Sequence, residues 1–140
     1  MHLLIDGHGC DPAQLADAEH VRRFLDTFPD AISMTKITEP SVTIYRGPTP
    51  EDWGVSGFVI IAESHISVHT FPDRAYLNID VFSCKEFDAD VALAQVREVF
   101  TMGRVKSWVL DRGLANLDPE SAPQAVAAER AALQLDPSKP

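Results

Sequence analysis

The chain has 140 residues, enough for one domain with its own core. With 45% hydrophobic and 24% charged residues, it has the composition of an ordinary globular protein. Its formal net charge is −9, from 21 acidic and 12 basic residues. That charge argues against nucleic acid or an anionic membrane surface as the main partner.

Features that bear on location all indicate the cytoplasm. No run of the sequence approaches the roughly 18 apolar residues of a membrane-spanning helix. The N-terminus has no basic segment and only a short apolar run, so we expect no signal peptide. Cys10 and Cys84 lie far apart and form no C-x-x-C pair. Free thiols in a reducing cytoplasm are therefore the expectation.

The start of the chain is predicted to form a strand followed by a helix. Residues 2–6 are typical of a strand. Asp11 has the position of a helix N-cap, with Pro12 at the first helical residue. Apolar residues then recur at three- and four-residue steps up to Phe28, as on one face of a helix. Pro29 is expected to end this helix.

Strands dominate the remainder of the domain. Pro and Gly mark a loop at 47–54. Links typical of hairpins join the middle strands, which favours an antiparallel sheet with two helices on one face, a two-layer α/β sandwich. The domain is expected to end near residue 112, and 113–140 is expected to be a loosely held tail with one short helix. The predicted strands are 41–46, 55–62, 66–71, 76–82 and 104–110, and the second helix is 88–100.

Polar side chains interrupt the most apolar part of the sequence, GFVIIAESHISVHTF at 57–71. Side chains alternate between the two faces of a strand. His65, Ser67 and His69 would therefore share one face, whereas Ile66 and Val68 would pack against the helices. The sequence thus predicts a row of imidazole and hydroxyl groups on one side of the sheet.

Three simple interpretations of this row remain open. It could be the solvated face of an antiparallel sheet. It could bind zinc through His65 and His69 with His8 or Cys84, although a four-residue gap along a strand separates two ligands by about 13 Å. It could be a Cys–His hydrolase that uses Cys84 and His69, but no local motif supplies an oxyanion hole.

A longer pattern accounts for more of these residues together. The segments ESHISVHTFPD at 63–73 and DVFSC at 80–84 resemble the signature of the prokaryotic S-adenosylmethionine decarboxylases. The segments GVSG at 54–57 and GCD at 9–11 match as well. Members of that family are pyruvoyl enzymes made as self-cleaving proenzymes. The resemblance covers about residues 2–112 and leaves the tail outside.

The resemblance implies a self-cleavage reaction between Glu63 and Ser64. The Ser64 hydroxyl would attack the carbonyl of Glu63, and the peptide bond would become an ester. Removal of the Ser64 α-proton would then break the chain and leave a pyruvoyl group at residue 64. The family assigns the base to His69, with assistance from Ser56, and imidazole is a side chain suited to general-base catalysis. A bend near Ser64 or tertiary packing must bring Ser64 and His69 together.

The resemblance also implies the chemistry of the mature enzyme. The pyruvoyl carbonyl would form a Schiff base with the substrate amine and act as an electron sink when carbon dioxide leaves. Cys84 would return a proton to carbon, since a free thiol with a pKa of about 8.5 is mostly protonated at neutral pH. Cys10 is expected to be structural. A homodimer of processed protomers that supplies spermidine synthesis, with no metal, follows from the family.

The identity of the substrate is less constrained by the sequence. Pro50 stands where relatives that use S-adenosylmethionine carry a Phe that stacks on adenine, and Trp53 could replace it. Glu51 and Asp52 suit a cationic substrate, with Asp73 as a further binding candidate. The same chemistry on ornithine or arginine is therefore an alternative. A non-catalytic homologue that is never cleaved and acts as a partner subunit is another.

Overall fold

A six-stranded antiparallel sheet organises residues 1–111, the part of the chain that the computed structural model describes. The predicted tail at 113–140 lies outside these residues. The strands are β1 His2–His8, β2 Ser41–Arg46, β3 Trp53–Ile61, β4 Ser64–Phe71, β5 Tyr76–Ser83 and β6 Arg104–Leu110. They lie in the order β2-β3-β4-β5-β1-β6, and each neighbouring pair is antiparallel. β4 is therefore an interior strand, bonded on both sides.

Helices cover one face of this sheet, so the predicted two-layer α/β sandwich is confirmed. They are α1 Pro12–Ala16, α2 Ala18–Ala31 and α3 Ala89–Val99, and a 3₁₀ turn at Pro72–Arg74 joins β4 to β5. α1 packs on β3 and β4, α2 packs on β2 and β3, and α3 contacts β1.

The first helical region differs from its prediction at two points. Asp17 has an extended backbone, with φ −90° and ψ 105°, and its side chain accepts a hydrogen bond from the Glu19 N–H at 2.8 Å. This second N-cap divides the predicted helix into α1 and α2. Pro29 does not end α2, which continues to Ala31. The Pro29 ring is buried, and that burial offsets the hydrogen bond that proline cannot donate.

The core lies between the helices and one face of the sheet. Ile66, Val68 and Thr70 of β4 are buried there, as the alternation of the sequence predicted. Phe100, which follows α3, is fully buried and meets the Phe24 ring edge-on at 5.1 Å between centroids. Apolar residues from the middle strands and α2 thus form one continuous cluster.

The opposite face of the sheet carries no helix among residues 1–111, and its side chains form rows across the strands. The register places Phe58, Ser67, Asp80, Leu4 and Trp108 side by side in one row. Phe58 and Trp108 are 48% and 47% exposed. The neighbouring row is polar, and its members are Thr43, Ser56, His69, Asn78, Asp6 and Lys106.

Replacement of Phe100 by Ala tests the position of the core. The Phe100 ring makes edge contacts with Phe24 and His20 and has no exposed surface. Phe100→Ala should lower the free energy of unfolding by about 3–5 kcal/mol, because it removes buried apolar surface and leaves a cavity. Phe100→Leu should lose less. Urea unfolding of the two variants measures both values, and equal stability of all three proteins would contradict this packing.

Candidate active site

The first group of polar residues is a serine–histidine pair that faces across β3 and β4, away from the hairpin that joins them. Ser56 lies directly opposite His69 in the strand register, and the Ser56 Oγ is 2.9 Å from the His69 Nδ1. A cavity of about 230 Å³ opens above the pair on the helix-free face of the sheet. It is lined by Ser41, Thr43, Ser56, Gly57, Phe58, Ser67 and His69.

Residues that the sequence did not single out extend this group along β5. Asn78 lies opposite His69, and its Nδ2 donates to the Asp6 Oδ1 at 2.7 Å and to the Tyr76 hydroxyl at 2.6 Å. Burial raises the pKa of the Tyr76 phenol. The Phe71 ring stacks on Tyr76 at 5.6 Å between centroids and shares the strand face of His69. An aromatic surface therefore lies two residues from the imidazole.

The second group surrounds the predicted cleavage point, in the tight hairpin between β3 and β4. Ser64 has φ 153°, a region of backbone conformation that residues other than glycine rarely occupy. Its Oγ lies 3.3 Å from the Nδ1 of His65. The Glu63 carbonyl oxygen accepts a hydrogen bond from the Cys84 N–H at 2.9 Å. The nucleophile, the carbonyl and a hydrogen-bond donor to that carbonyl are thus brought together.

Hydrogen bonds join the segment after α2 to the hairpin between β3 and β4. The Thr35 N–H donates to the Glu63 Oε2 at 3.1 Å, and the Thr35 carbonyl accepts from the Ala62 N–H at 2.8 Å. Lys36 forms an isolated bridge with Ile61 of β3. The two residues of the turn are therefore fixed through both backbone and side chain.

The turn that carries Cys84 is closed by the hydroxyl of its neighbour. The fully buried Ser83 Oγ donates to the Lys85 carbonyl at 2.7 Å and accepts from the Lys85 N–H at 2.9 Å. The Lys85 ammonium donates to the Ser33 carbonyl at 2.9 Å. Cys84 is a free, half-buried thiol. These bonds fix the backbone that presents both the Cys84 N–H and its side chain.

The two groups lie at opposite ends of β4. Ser64 pairs with Ser83 of β5 at one end, and His69 pairs with Ser56 of β3 near the other. Five residue steps of antiparallel strand lead from Ser64 to His69, a span of about 17 Å. β4 contains no bend between them. Within one chain, therefore, neither a bend nor tertiary packing brings Ser64 and His69 together.

The candidate substrate-binding residues form a separate set at the start of β3. The Trp53 Nε1 donates to the Asp73 Oδ2 at 3.0 Å, and the Arg46 guanidinium lies 5.4 Å from the Trp53 ring centroid. Trp53 shares the helix-covered face with Val55, so the structure does not place it beside His69. The remaining two candidates, Glu51 and Asp52, lie in the loop that precedes β3.

Two further observations concern metals and membranes. Across residues 1–111, no group of three or more His, Cys, Asp or Glu side chains is arranged to hold a metal ion. In the same part of the chain, no helix has the length and apolar character needed to cross a bilayer.

Comparison with known proteins assigns the chain to a family. A family model described as S-adenosylmethionine decarboxylase matches residues 1–113. The chain therefore belongs to the S-adenosylmethionine decarboxylase family.

Individual relatives agree with that assignment. The chain is 35% identical to an S-adenosylmethionine decarboxylase proenzyme of Pyrococcus furiosus, over 84% of this chain and 81% of that protein. It is also 35% identical to a proenzyme of the same name from Thermodesulfovibrio yellowstonii, over 91% of each chain. The crystal structure of the adenosylmethionine decarboxylase from Aquifex aeolicus VF5 superposes with a TM-score of 0.64 and 30% identity. That match covers 80% of this chain and 88% of the other.

Thiol labelling tests the contrast between the two cysteines. Cys10 is 3% exposed, and burial raises the pKa of its thiol from 9.0 to about 11. At pH 8 only about 0.1% of Cys10 would be the reactive thiolate. Iodoacetamide should therefore modify the half-buried Cys84 first, and Cys10 only after unfolding or at a pH near 11. Peptide mass mapping measures both rates, and equal rates in the native protein would contradict this assignment.

Proposed function

We propose that this chain is a self-processing decarboxylase of S-adenosylmethionine that cleaves itself between Glu63 and Ser64. The observation that carries the proposal is the geometry of that peptide bond, in a chain that belongs to this family. The Ser64 hydroxyl lies beside an imidazole nitrogen, and the Glu63 carbonyl is bonded by the Cys84 N–H. The backbone at Ser64 is strained.

The local contacts support the ester-forming step. Attack of the Ser64 Oγ on the Glu63 carbonyl places negative charge on the oxygen that already accepts from the Cys84 N–H. A fixed donor aimed at developing charge stabilises such an intermediate. The unfavourable φ of Ser64 stores on the order of 1–3 kcal/mol, which cleavage of this peptide bond can release.

The family resemblance assigns the base of the elimination step to His69, which one chain does not bring to Ser64. Ser56 and His69 form the bonded pair that fits the role, but they lie about 17 Å from Ser64 along β4. We therefore propose a homodimer in which Ser56 and His69 of one copy act on Ser64 of the other. A two-fold axis makes such contacts reciprocal and gives two equivalent sites.

The helix-free face of the sheet is the surface that we propose for this contact. It carries the serine–histidine pair, its cavity and the half-exposed rings of Phe58 and Trp108. Large apolar side chains exposed on one face of a sheet commonly mark a surface that another protein layer covers. A second copy packed on this face would cover these rings. It would also bring His69 of one chain close to Ser64 of the other.

The residues around Ser64 fit a pyruvoyl group made from Ser64 itself. When present, that group supplies the electron sink for loss of carbon dioxide. Cys84 lies next to it, because its N–H already reaches the Glu63 carbonyl, and its thiol is the proposed proton donor to carbon. The Phe71 and Tyr76 rings offer a stacking surface for the adenine of the substrate.

The acidic loop residues keep their proposed role toward a cationic substrate. Glu51, Asp52 and Asp73 lie near the start of β3, and the sulfonium of S-adenosylmethionine is positively charged. Trp53 is bonded to Asp73 on the other face of the sheet, so we assign it to holding this loop. Ornithine or arginine would be a second candidate substrate, but the relatives matched here are named for S-adenosylmethionine. We place the enzyme in the cytoplasm, upstream of spermidine synthesis, with no nucleic-acid partner.

Carbon dioxide release tests the activity and the substrate together. The purified protein should release labelled carbon dioxide from carboxyl-labelled S-adenosylmethionine, and not from ornithine or arginine. Ser64→Ala should remain uncut and inactive, since alanine cannot form the ester. Release from ornithine or arginine alone would contradict the substrate, and activity of the uncut Ser64→Ala protein would contradict the mechanism.

Co-expression of two inactive variants tests the proposed sharing of the site. Ser64→Ala and His69→Ala homodimers should each fail to cleave. A mixed dimer should regain one intact site, built from Ser64 of one chain and His69 of the other. Cleavage should then occur only in the chain that carries His69→Ala, which intact mass identifies. Absence of cleavage in the isolated mixed dimer would contradict a shared site.

A further inference from the structure

We infer that His65 is a catalytic residue of the self-cleavage and acts in the ester-forming step. This inference rests on the self-cleavage proposed above. It assigns the step to an imidazole different from His69, the residue that the family resemblance connects with processing. The Ser64 Oγ and the His65 Nδ1 are 3.3 Å apart in the same chain, within hydrogen-bond distance.

The strand register fixes the His65 ring in that position. His65 lies between Ile60 of β3 and Phe82 of β5, its neighbours across the sheet. The ring meets Phe82 edge-on, with 5.6 Å between centroids and an angle of 61°. The imidazole is half-buried, so it is held by packing and still reached by the nucleophile.

His69 cannot serve the same step within its own chain. It is bonded to Ser56 at 2.9 Å and lies about 17 Å from Ser64 along an unbent strand. The structure thus separates two imidazoles by position. His65 is beside the hydroxyl that attacks, whereas the Ser56–His69 pair acts on Ser64 of the second chain in the proposed dimer.

The proton balance of the ester-forming step requires one group that both accepts and donates. The Ser64 Oγ–H proton passes to the His65 Nδ1 as the Oγ bonds to the Glu63 carbonyl carbon. The bond between that carbon and the Ser64 nitrogen then breaks, and His65 returns the proton to the leaving nitrogen. The products are an ester and a free amine, and His65 is unchanged. An imidazole performs both transfers near neutral pH.

The Cys84 N–H is the second group that takes part in ester formation. It donates to the Glu63 carbonyl oxygen at 2.9 Å, which carries the negative charge while His65 holds the proton. The base and the charge-stabilising donor for ester formation therefore come from the same chain as Ser64. The base for elimination comes from the other chain of the proposed dimer.

The test compares cleavage of His65→Ala and His65→Gln with that of the unmodified chain, by intact mass after cell-free synthesis. Both variants should cleave at least about 100-fold more slowly, the usual contribution of general acid–base catalysis. Their uncut chains should resist hydroxylamine, because no ester has formed. The uncut chain of His69→Ala should be split by hydroxylamine, because it stops after the ester. Added imidazole should accelerate cleavage of His65→Ala.

A matched variant separates catalysis from loss of folding. His20 is another imidazole with an edge-on aromatic contact, to Phe100 at 5.3 Å, and it lies in the helical layer. His20→Ala should lose comparable stability in thermal unfolding and still cleave at the unmodified rate. Cleavage of His65→Ala at the normal rate would overturn the role of His65 and leave the proposed function standing. The same conclusion would follow if hydroxylamine split the uncut His65→Ala chain. Failure of the unmodified chain to cleave would overturn the proposed function as well.

Discussion

The straightness of β4 is the constraint on which the rest of the site depends. The strand is bonded on both sides from Ser64 to His69, so it has no freedom to fold back on itself. Ser64 and His69 lie near its two ends and cannot meet in one chain. In the dimer that we propose, each chain holds two incomplete halves of the site. The exposed, helix-free face is the surface that we propose for the second copy.

One short turn serves both reactions of the proposed enzyme. The buried hydroxyl of Ser83 bonds both backbone groups of Lys85 and so fixes the orientation of Cys84. Before cleavage, the Cys84 N–H polarises the Glu63 carbonyl. After cleavage, the thiol of the same residue is the proposed proton donor. A single local structure therefore links self-processing to the chemistry that follows it.

Local sequence patterns predicted the two faces of the sheet well. Alternation along 64–71 separated the buried Ile66 from the polar His65 because burial has a period of two in a strand. Helix signals were less reliable. The cap at Asp17 splits α1 from α2, and Pro29 is accommodated within the last turn of α2, since a second cap and tertiary burial overrode the pattern.

Contacts between distant segments could not be predicted from local patterns. Asn78 lies opposite His69, and Cys84 bonds to Glu63, only because of the strand register. Strand register depends on the packing of the whole sheet, and no local motif predicts it. Trp53 was a candidate for the substrate site because of its position in the sequence. The alternation of β3 instead places its side chain on the helix-covered face.

The most direct test of this account is the intact mass of the purified protein under denaturing conditions. Two chains are expected, residues 1–63 and residues 64–140, with a pyruvoyl group at the start of the second. That result would establish the cleavage point and the prosthetic group in one measurement. A single uncut chain that persists after long incubation would contradict the account. The Glu63–Ser64 hairpin would then belong to a non-catalytic member of the family.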